Sequence, residues 1–376
     1  MADVPMDSPP PRGRRGQGWL NRLAASPGFQ RWAARFPFTR RHVRAEGEAI
    51  FDLVAGFAHS QVLRALIELD LLVFLRDDAL PARTIAARLS MPEDRAEILL
   101  RAGVALGLLR LKGGRYQTST RGAALLGVPG LPQMIRHHEI LYRDLSDPVA
   151  FFRGDTETEL ARFWPYVFGA GTGASPDEAA RYSQLMADSQ GLVAQDALDQ
   201  IDLRRVDHLM DVGGGTGVFL SQVAAAAPAL DLTLFDLPQV MPAARDALAQ
   251  AGLADRITLA EGSFKTDPLP GGADAISLIR VLYDHDDAQV AQLLSKCFDA
   301  LPKGGRLIIS EPMTGGEAPH RAGDVYFALY CMAMRTGRAR SQHRIAGLAQ
   351  AAGFIQPATP RARRPFVTST VLATRP

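Results

Sequence analysis

Leu209-Met-Asp-Val-Gly-Gly-Gly-Thr-Gly-Val218 decides the fold of this chain. Apolar residues run into Asp211, a Gly213-x-Gly215-x-Gly217 loop follows, and Phe219-Leu220 opens a helical pattern. Glycine has no Cβ, so backbone N–H groups in such a loop can approach a ligand closely. A dinucleotide fingerprint would place its third glycine at position 218, which is valine. The tighter spacing, with an acid just before the first glycine, suits S-adenosylmethionine (SAM), the loop closing over its methionine end. A second strand, Leu232-Thr-Leu-Phe-Asp236, ends in an acid placed to bind ribose hydroxyls.

Outward from this core, strand patterns fall at 207–212, 232–236, 257–261, 274–279, 306–310 and 366–373, with helical stretches between them. The alternation predicts an α/β, doubly wound parallel sheet over residues 196–376. Ligands of such sheets sit beyond the carboxyl ends of the strands. The glycine loop, Asp236, Gly262-Ser263-Phe264, Arg280 to Asp287 and Glu311 all fall at such ends.

Three segments precede this domain. Residues 46–130 read as helices, then helix–turn–helix, then a hairpin turning on Gly113-Gly114, a winged-helix-like pattern. The would-be recognition helix begins Glu93-Asp94 and sets Glu97 against Arg95 and Arg101. A face that reads phosphates should be distinctly basic, so packing or dimerisation is expected here and nucleic acid is not. Residues 131–195 are helical and aromatic, with Phe151-Phe152 and Phe163-Trp164-Pro165-Tyr166, and as a group they suit an apolar substrate channel. Residues 1–45 form a basic tail. Nine arginines and no acid fall within 11–44, which, against a net charge of +2, leaves the rest of the chain at −7. Trp19, Trp32, Phe36 and Phe38 interleave with those arginines. The mixture suits an anionic membrane surface, a floppy basic tail or nucleic-acid contact.

Bulk properties narrow the class. A chain of 376 residues, 47% hydrophobic, has ample core for two or three domains. Cys297 and Cys331 alone make neither a disulfide framework nor a zinc set, and a reducing cytosol fits best. No signal peptide is expected. The longest hydrophobic stretch, Ala49 to Leu75, carries Asp52, Arg64, Glu68 and Asp70, so no membrane span is expected either.

The segment Arg280-Val-Leu-Tyr-Asp-His-Asp-Asp287 is the sharpest catalytic candidate. Methyl transfer from a sulfonium is an in-line displacement, helped by positioning and, for an alcohol acceptor, by removal of its proton. His285 titrates nearest neutral pH and is the natural base, while Tyr283 can orient an acceptor hydroxyl. Asp286 and Asp287 have a simpler reading as the acidic start of the next helix. Ser263 and Phe264 are placed to hydrogen-bond and stack on the adenine. No metal is expected.

Asp211-Val-Gly-Gly-Gly-Thr-Gly217, Phe235-Asp-Leu-Pro-Gln-Val240, Gly262-Ser-Phe264, Leu301-Pro-Lys-Gly-Gly305 and Ser310-Glu-Pro312 resemble the motifs of plant-caffeate-type SAM-dependent O-methyltransferases over about residues 46–376. The resemblance implies a class I methyltransferase sheet and a winged-helix-like dimerisation domain. It further implies a metal-free homodimer in which each N-terminal domain helps close the partner's site. Asp211, Gly213, Gly215, Gly217, Asp236, Leu237, Ser263, Phe264 and Arg280 are the expected cofactor contacts; Tyr283, His285 and Glu311 are the expected catalytic residues. Two departures stand out. Tyr283-Asp284-His285 occupies the place of the family's His-Asp-Trp, so tyrosine replaces the catalytic histidine. Gln342, after Arg340-Ser341, replaces the acid that supports that histidine, whereas Glu311 is retained. Ser263 likewise replaces an adenine-contacting aspartate.

Arg280-Val-Leu-Tyr-Asp-His285, Phe51-Asp-Leu-Val-Ala-Gly-Phe57, Asp147-Pro-Val-Ala-Phe-Phe-Arg-Gly154 and Phe163-Trp-Pro-Tyr-Val-Phe-Gly169 resemble more narrowly the 1-hydroxycarotenoid O-methyltransferases of purple phototrophic bacteria. That resemblance implies a carotenoid acceptor methylated at a tertiary hydroxyl, in spheroidene- or spirilloxanthin-type biosynthesis, by a cytoplasmic enzyme peripheral to the membrane. The alternatives are a methyltransferase for another pigment or aromatic, such as a bacteriochlorophyll precursor, and a non-catalytic SAM-binding regulator.

Overall fold

The computed structural model describes residues 17–163 and 190–376. The aromatic run beyond Phe163, from Trp164 to Phe168, lies outside them. The chain divides into two compact units, Met1–Gln117 and Thr118–Pro376.

In the first unit, the helices Ala82–Arg88 and Glu93–Ala105 are followed by a hairpin of β2 (Leu109–Lys112) and β3 (Arg115–Thr118), with the short β1 (Leu80–Pro81) paired to β3. Gly113 and Gly114 turn the hairpin at φ +57° and +72°, a conformation costly for residues with a Cβ. The winged-helix pattern is therefore realised. Its core is Leu66, Leu71, Leu72, Leu75, Ile85 and Leu100. The helix Arg40–Glu68 leaves Ile50, Phe51, Leu53, Val54 and Phe57 exposed.

The described part of the basic segment differs from a floppy tail. Residues Gln17–Ala24 and Pro27–Arg35 are helical, with Pro27 at a helix start where its missing N–H costs nothing. Trp32 stacks on Phe36 at 4.9 Å, and Phe29 and Phe38 extend the row of rings. Among the described residues, Arg40–Glu68 is long and apolar enough to cross a membrane by length and composition, because its apolar window spans fewer charges than the whole stretch.

The second unit is built on a seven-stranded sheet in the order β6-β5-β4-β7-β8-β10-β9. Its strands are β4 (His208–Val212), β5 (Asp231–Asp236), β6 (Ile257–Glu261), β7 (Ala275–Ile279), β8 (Arg306–Glu311), β9 (Ile355–Ala358) and β10 (Ser369–Thr374). The first five run parallel. β10 is antiparallel to β8, and β9 to β10, so the sheet is mixed at this edge rather than parallel throughout. Strand direction is set by how the chain returns, which a local apolar pattern does not encode. Alternate residues feed two cores. Met210, Val212, Ile276 and Leu278 pack on one face; Leu209, Leu232, Ala275 and Ile279 pack on the other. This double burial explains the near-continuous apolar strands.

Candidate active site

Gly213, Gly215 and Gly217 all take positive φ between β4 and the helix Val218–Ala226. The Gly213 N–H donates to the Phe235 carbonyl at 2.8 Å, tying the loop to the end of β5. A Cβ on Gly214 would lie 2.7 Å from Asp211 Oδ2, and one on Gly213 2.9 Å from Val281 Cγ2. The loop is thus laid bare-backboned over a buried acid. Asp211 accepts from Ser277 Oγ at 2.6 Å. Burial pushes its carboxyl up to about 7, with the Asp236 charge adding to the effect.

Asp236 closes the next loop. Its Oδ2 accepts from the Gly215 N–H at 2.8 Å and its Oδ1 from the Leu237 N–H at 2.7 Å. Burial raises this carboxyl and the two N–H groups pull it back down. The Gly262 N–H donates to the Asp236 carbonyl at 3.0 Å, so the third loop joins the second. There the Ser263 N–H reaches Asp267 Oδ2 at 2.8 Å, and Lys296 Nζ donates to the carbonyls of Phe264 and Asp267. The glycine loop, Asp211, Asp236, Leu237, Ser263 and Phe264 are thereby gathered at one sheet edge. A glycine cradle beside the buried Asp211 and the half-buried Asp236 fits a ligand that carries a cationic sulfonium and a ribose diol.

The segment after β7 is held differently from its sequence order. Arg280 sits at φ +58°, an unfavourable backbone for a side-chain-bearing residue, with its N–H bonded to the Ser310 carbonyl at 2.8 Å. Its guanidinium donates to the Tyr283 hydroxyl at 3.3 Å. Tyr283 is buried, and burial drives its hydroxyl far above the usual phenol range. His285 is turned elsewhere, edge-on to Phe264 at 5.3 Å, and burial and the Lys265 charge lower it to about 4. Among the described residues its buried Nδ1 has no hydrogen-bond partner. Tyr283 and His285 therefore serve different neighbours. Asp286 is the N-cap of the helix Asp287–Ala300, accepting from the Gln289 N–H at 2.8 Å, which agrees with the helix-start reading of that aspartate.

Glu311 is fully buried and accepts from the Leu282 N–H. Burial raises its carboxyl to about 8, and that of Asp284 likewise. Gln342 donates to the Thr370 carbonyl at 3.2 Å. The brace that sequence reasoning missed is its neighbour Arg340. Arg340 is buried, pairs with Asp287 at 2.7 Å, and donates to the carbonyls of Leu282 and His285 at 2.9 and 2.8 Å. Among the described residues no cluster of His, Cys, Asp and Glu could hold a metal.

Four more polar aromatics were also missed. His137 and His138 lie on the helix Leu131–Asp144; Tyr326 lies on the π-helical turn Arg321–Phe327 and Tyr330 on the helix Ala328–Met334. His137 Nε2 is 3.1 Å from the Tyr330 hydroxyl and His138 Nε2 is 2.8 Å from that of Tyr326. About 190 residues separate the partners, so only the paired histidines themselves could have drawn notice.

Residues 142–355 match the O-methyltransferase domain and residues 51–127 the O-methyltransferase dimerisation domain. The chain is 54% identical to a demethylspheroidene O-methyltransferase of Cereibacter sphaeroides, covering 98% of both chains. It is 50% identical to a demethylspheroidene O-methyltransferase of Rhodobacter capsulatus, covering 95% of this chain and 89% of that one. The solved SAM-dependent methyltransferase SibL superposes with a TM-score of 0.74 at 27% identity, covering 87% of this chain and 99% of that one. With glycine cradle, strand-end acids and sheet order in agreement, the chain belongs to the O-methyltransferase family and is a SAM-dependent enzyme carrying that family's dimerisation domain.

Proposed function

We propose that this enzyme methylates the tertiary 1-hydroxyl of an acyclic hydroxycarotenoid, a step of spheroidene- or spirilloxanthin-type carotenoid biosynthesis. The observation that carries this reading is the 54% identity, over 98% of both chains, to an enzyme named for that reaction. SAM supplies a methyl group activated by a positive sulfonium. Gly213, Gly215 and Gly217 cradle its methionine end, Asp211 lies beneath them, and Asp236 and Leu237 take the ribose. Ser263 and Phe264 cover the adenine, with His285 backing Phe264. Glu311 and Arg340 hold the backbone of the loop that carries Tyr283, beside the cofactor contact Arg280. Tyr283, buried and too weakly acidic to ionise near neutral pH, serves as the neutral hydrogen-bonding partner of the Arg280 guanidinium.

The proposal extends to place. A C40 polyene resides in a bilayer, and the exposed Trp19, Trp32 and Phe38 beside Arg22, Arg31, Arg35, Arg40 and Arg41 suit contact with an anionic lipid surface from the cytoplasmic side.

Transfer of labelled methyl from SAM to a detergent-dispersed panel tests the acceptor. The panel holds 1-hydroxycarotenoids, bacteriochlorophyllides and catechols. Label recovered as a methoxycarotenoid is the expected result. Label only in another acceptor leaves the family and cofactor intact and replaces the substrate.

A further inference from the structure

We propose that Tyr326 and His138 form the proton-accepting pair for the acceptor hydroxyl, with Tyr330 and His137 as a parallel pair that holds it in place. The proposal rests on the reading above only in requiring a hydroxyl acceptor. It answers a chemical gap. Tyr283 occupies the place of a basic histidine and its hydroxyl is bonded to the Arg280 guanidinium rather than to a base, while His285 is packed against Phe264. A tertiary alcohol still has to lose its proton as the O–CH3 bond forms.

Geometry singles out these four side chains. His138 Nε2 and the Tyr326 hydroxyl are 2.8 Å apart, with rings edge-on at 5.5 Å. Tyr326 and Tyr330 ring centres are 6.3 Å apart, and His137 lies 6.2 Å from Tyr330. The Arg280 guanidinium donates to the Tyr283 hydroxyl at 3.3 Å, and its charge also reaches the hydroxyls of Tyr326 and Tyr330. Tyr326 and His138 are partly accessible, whereas Tyr283 is buried, so an acceptor can reach the former pair. The backbone that carries Tyr326 is unusual as well. π-Helical turns are rare and gather at functional sites. This one is pinned to the loop after β8: Asp324 Oδ2 accepts from the N–H groups of Gly315 and His320 at 2.8 Å each, and a Cβ on Gly323 would lie 2.0 Å from the Met313 carbonyl.

The step balances. The acceptor oxygen attacks the methyl carbon, the C–S bond breaks, and its electron pair stays on sulfur as the thioether. The acceptor proton passes to Tyr326 Oη while the Tyr326 proton passes to His138 Nε2, leaving an imidazolium that returns its proton to water. Burial keeps Tyr326 neutral, raised to about 12, and lowers His138 from its ordinary value, so that the imidazole is free to accept at neutral pH. The groups beside His138 are Tyr326, at 2.8 Å, and His137 on its own helix, with Tyr330 beyond them, 6.3 Å from Tyr326 and 6.2 Å from His137 between ring centres. Glu159, on another packed helix, is engaged by Arg143 at 2.9 Å, and Arg121 on the helix Thr120–Leu126 is exposed.

Two arms test the pair. In the first, the full-length enzyme, His138→Gln and Tyr326→Phe are compared over pH 5–9. The wild-type rate should fall on the acid side through an apparent pKa below about 6.5, because the protonated imidazole cannot accept. His138→Gln should lose at least about 100-fold in kcat together with that acid limb, with SAM affinity within about twofold. A His138→Gln enzyme that keeps both the wild-type rate and the limb overturns the proposal. The second arm needs no acceptor and no variant that folds: the nitrogen NMR spectrum of histidine-labelled wild-type enzyme. The proposal requires His138 to carry its proton on Nδ1 and leave Nε2 bare at pH 7.5; a proton on Nε2 overturns it. Failure of the carotenoid reading shows separately, as wild-type enzyme that labels another hydroxyl or none.

Discussion

Gly214 shows how a single residue can be constrained without unusual backbone. Its φ is not positive, unlike those of Gly213, Gly215 and Gly217, yet an added Cβ would meet Asp211 Oδ2 at 2.7 Å. Asp211 is in turn held by Ser277 and cannot give way freely. Gly214→Ala is therefore expected to weaken SAM binding at least about tenfold, or about 1.4 kcal/mol, by titration calorimetry; unchanged affinity would mean that the loop shifts without cost. Glu311 makes a pH-dependent case. Its carboxyl is raised to about 8 in the fold, against an ordinary value near 4.5. Between those values the folded state holds a proton that the unfolded state has lost, so stability declines as pH rises from about 4.5 through about 8. Glu311→Gln keeps an acceptor for the Leu282 N–H and should flatten that decline in denaturant melts at pH 5, 6.5 and 8. A decline as steep as in the wild type would place its origin in Asp284 and Asp211. At this scale, residues ending a strand were legible because the fold class puts ligands there. Arg340 and the His–Tyr pairs were not, since their roles arise from partners tens to hundreds of residues away.

Among the elements, the five parallel strands were readable because burial on both faces makes each a short apolar run. The hairpin at Gly113-Gly114 was readable because two successive positive φ angles all but require glycine. β9 was not, because Ile355-Gln-Pro-Ala358 is mostly exposed and contains a proline, a composition suited to an edge. The helix Arg40–Glu68 exposes Phe57 to 75% along with Ile50, Phe51, Leu53 and Val54. Most of this apolar face falls within the dimerisation domain, which supports a homodimer joined through it. Phe57→Glu should shift the enzyme toward half its mass in light scattering at micromolar concentration. A mass identical to the wild type would move the contact to another surface.

For the whole molecule, the charge asymmetry was legible from composition and the helical order of residues 17–35 was not, because helices of eight and nine residues span little more than two turns each, amid proline and glycine that read as tail. Removal of residues 1–38 ends just before the long helix and takes away Trp19, Trp32 and Phe38. That truncated enzyme is expected to sediment less with vesicles containing anionic lipid and to behave like the wild type with neutral ones. Equal sedimentation of both proteins would discard the membrane-surface proposal. The catalytic unit carries a different kind of linkage. Arg340 grips the carbonyls on either side of Tyr283 and Asp284, so one guanidinium sets both the His285 ring packed edge-on to Phe264, where the adenine is proposed to lie, and the tyrosine beside Arg280. Donor and acceptor recognition are then not separately tunable from this position: a lesion there would surface in kinetics as two Michaelis constants rising in step, the signature of a shared hinge pin rather than of damage to either chamber.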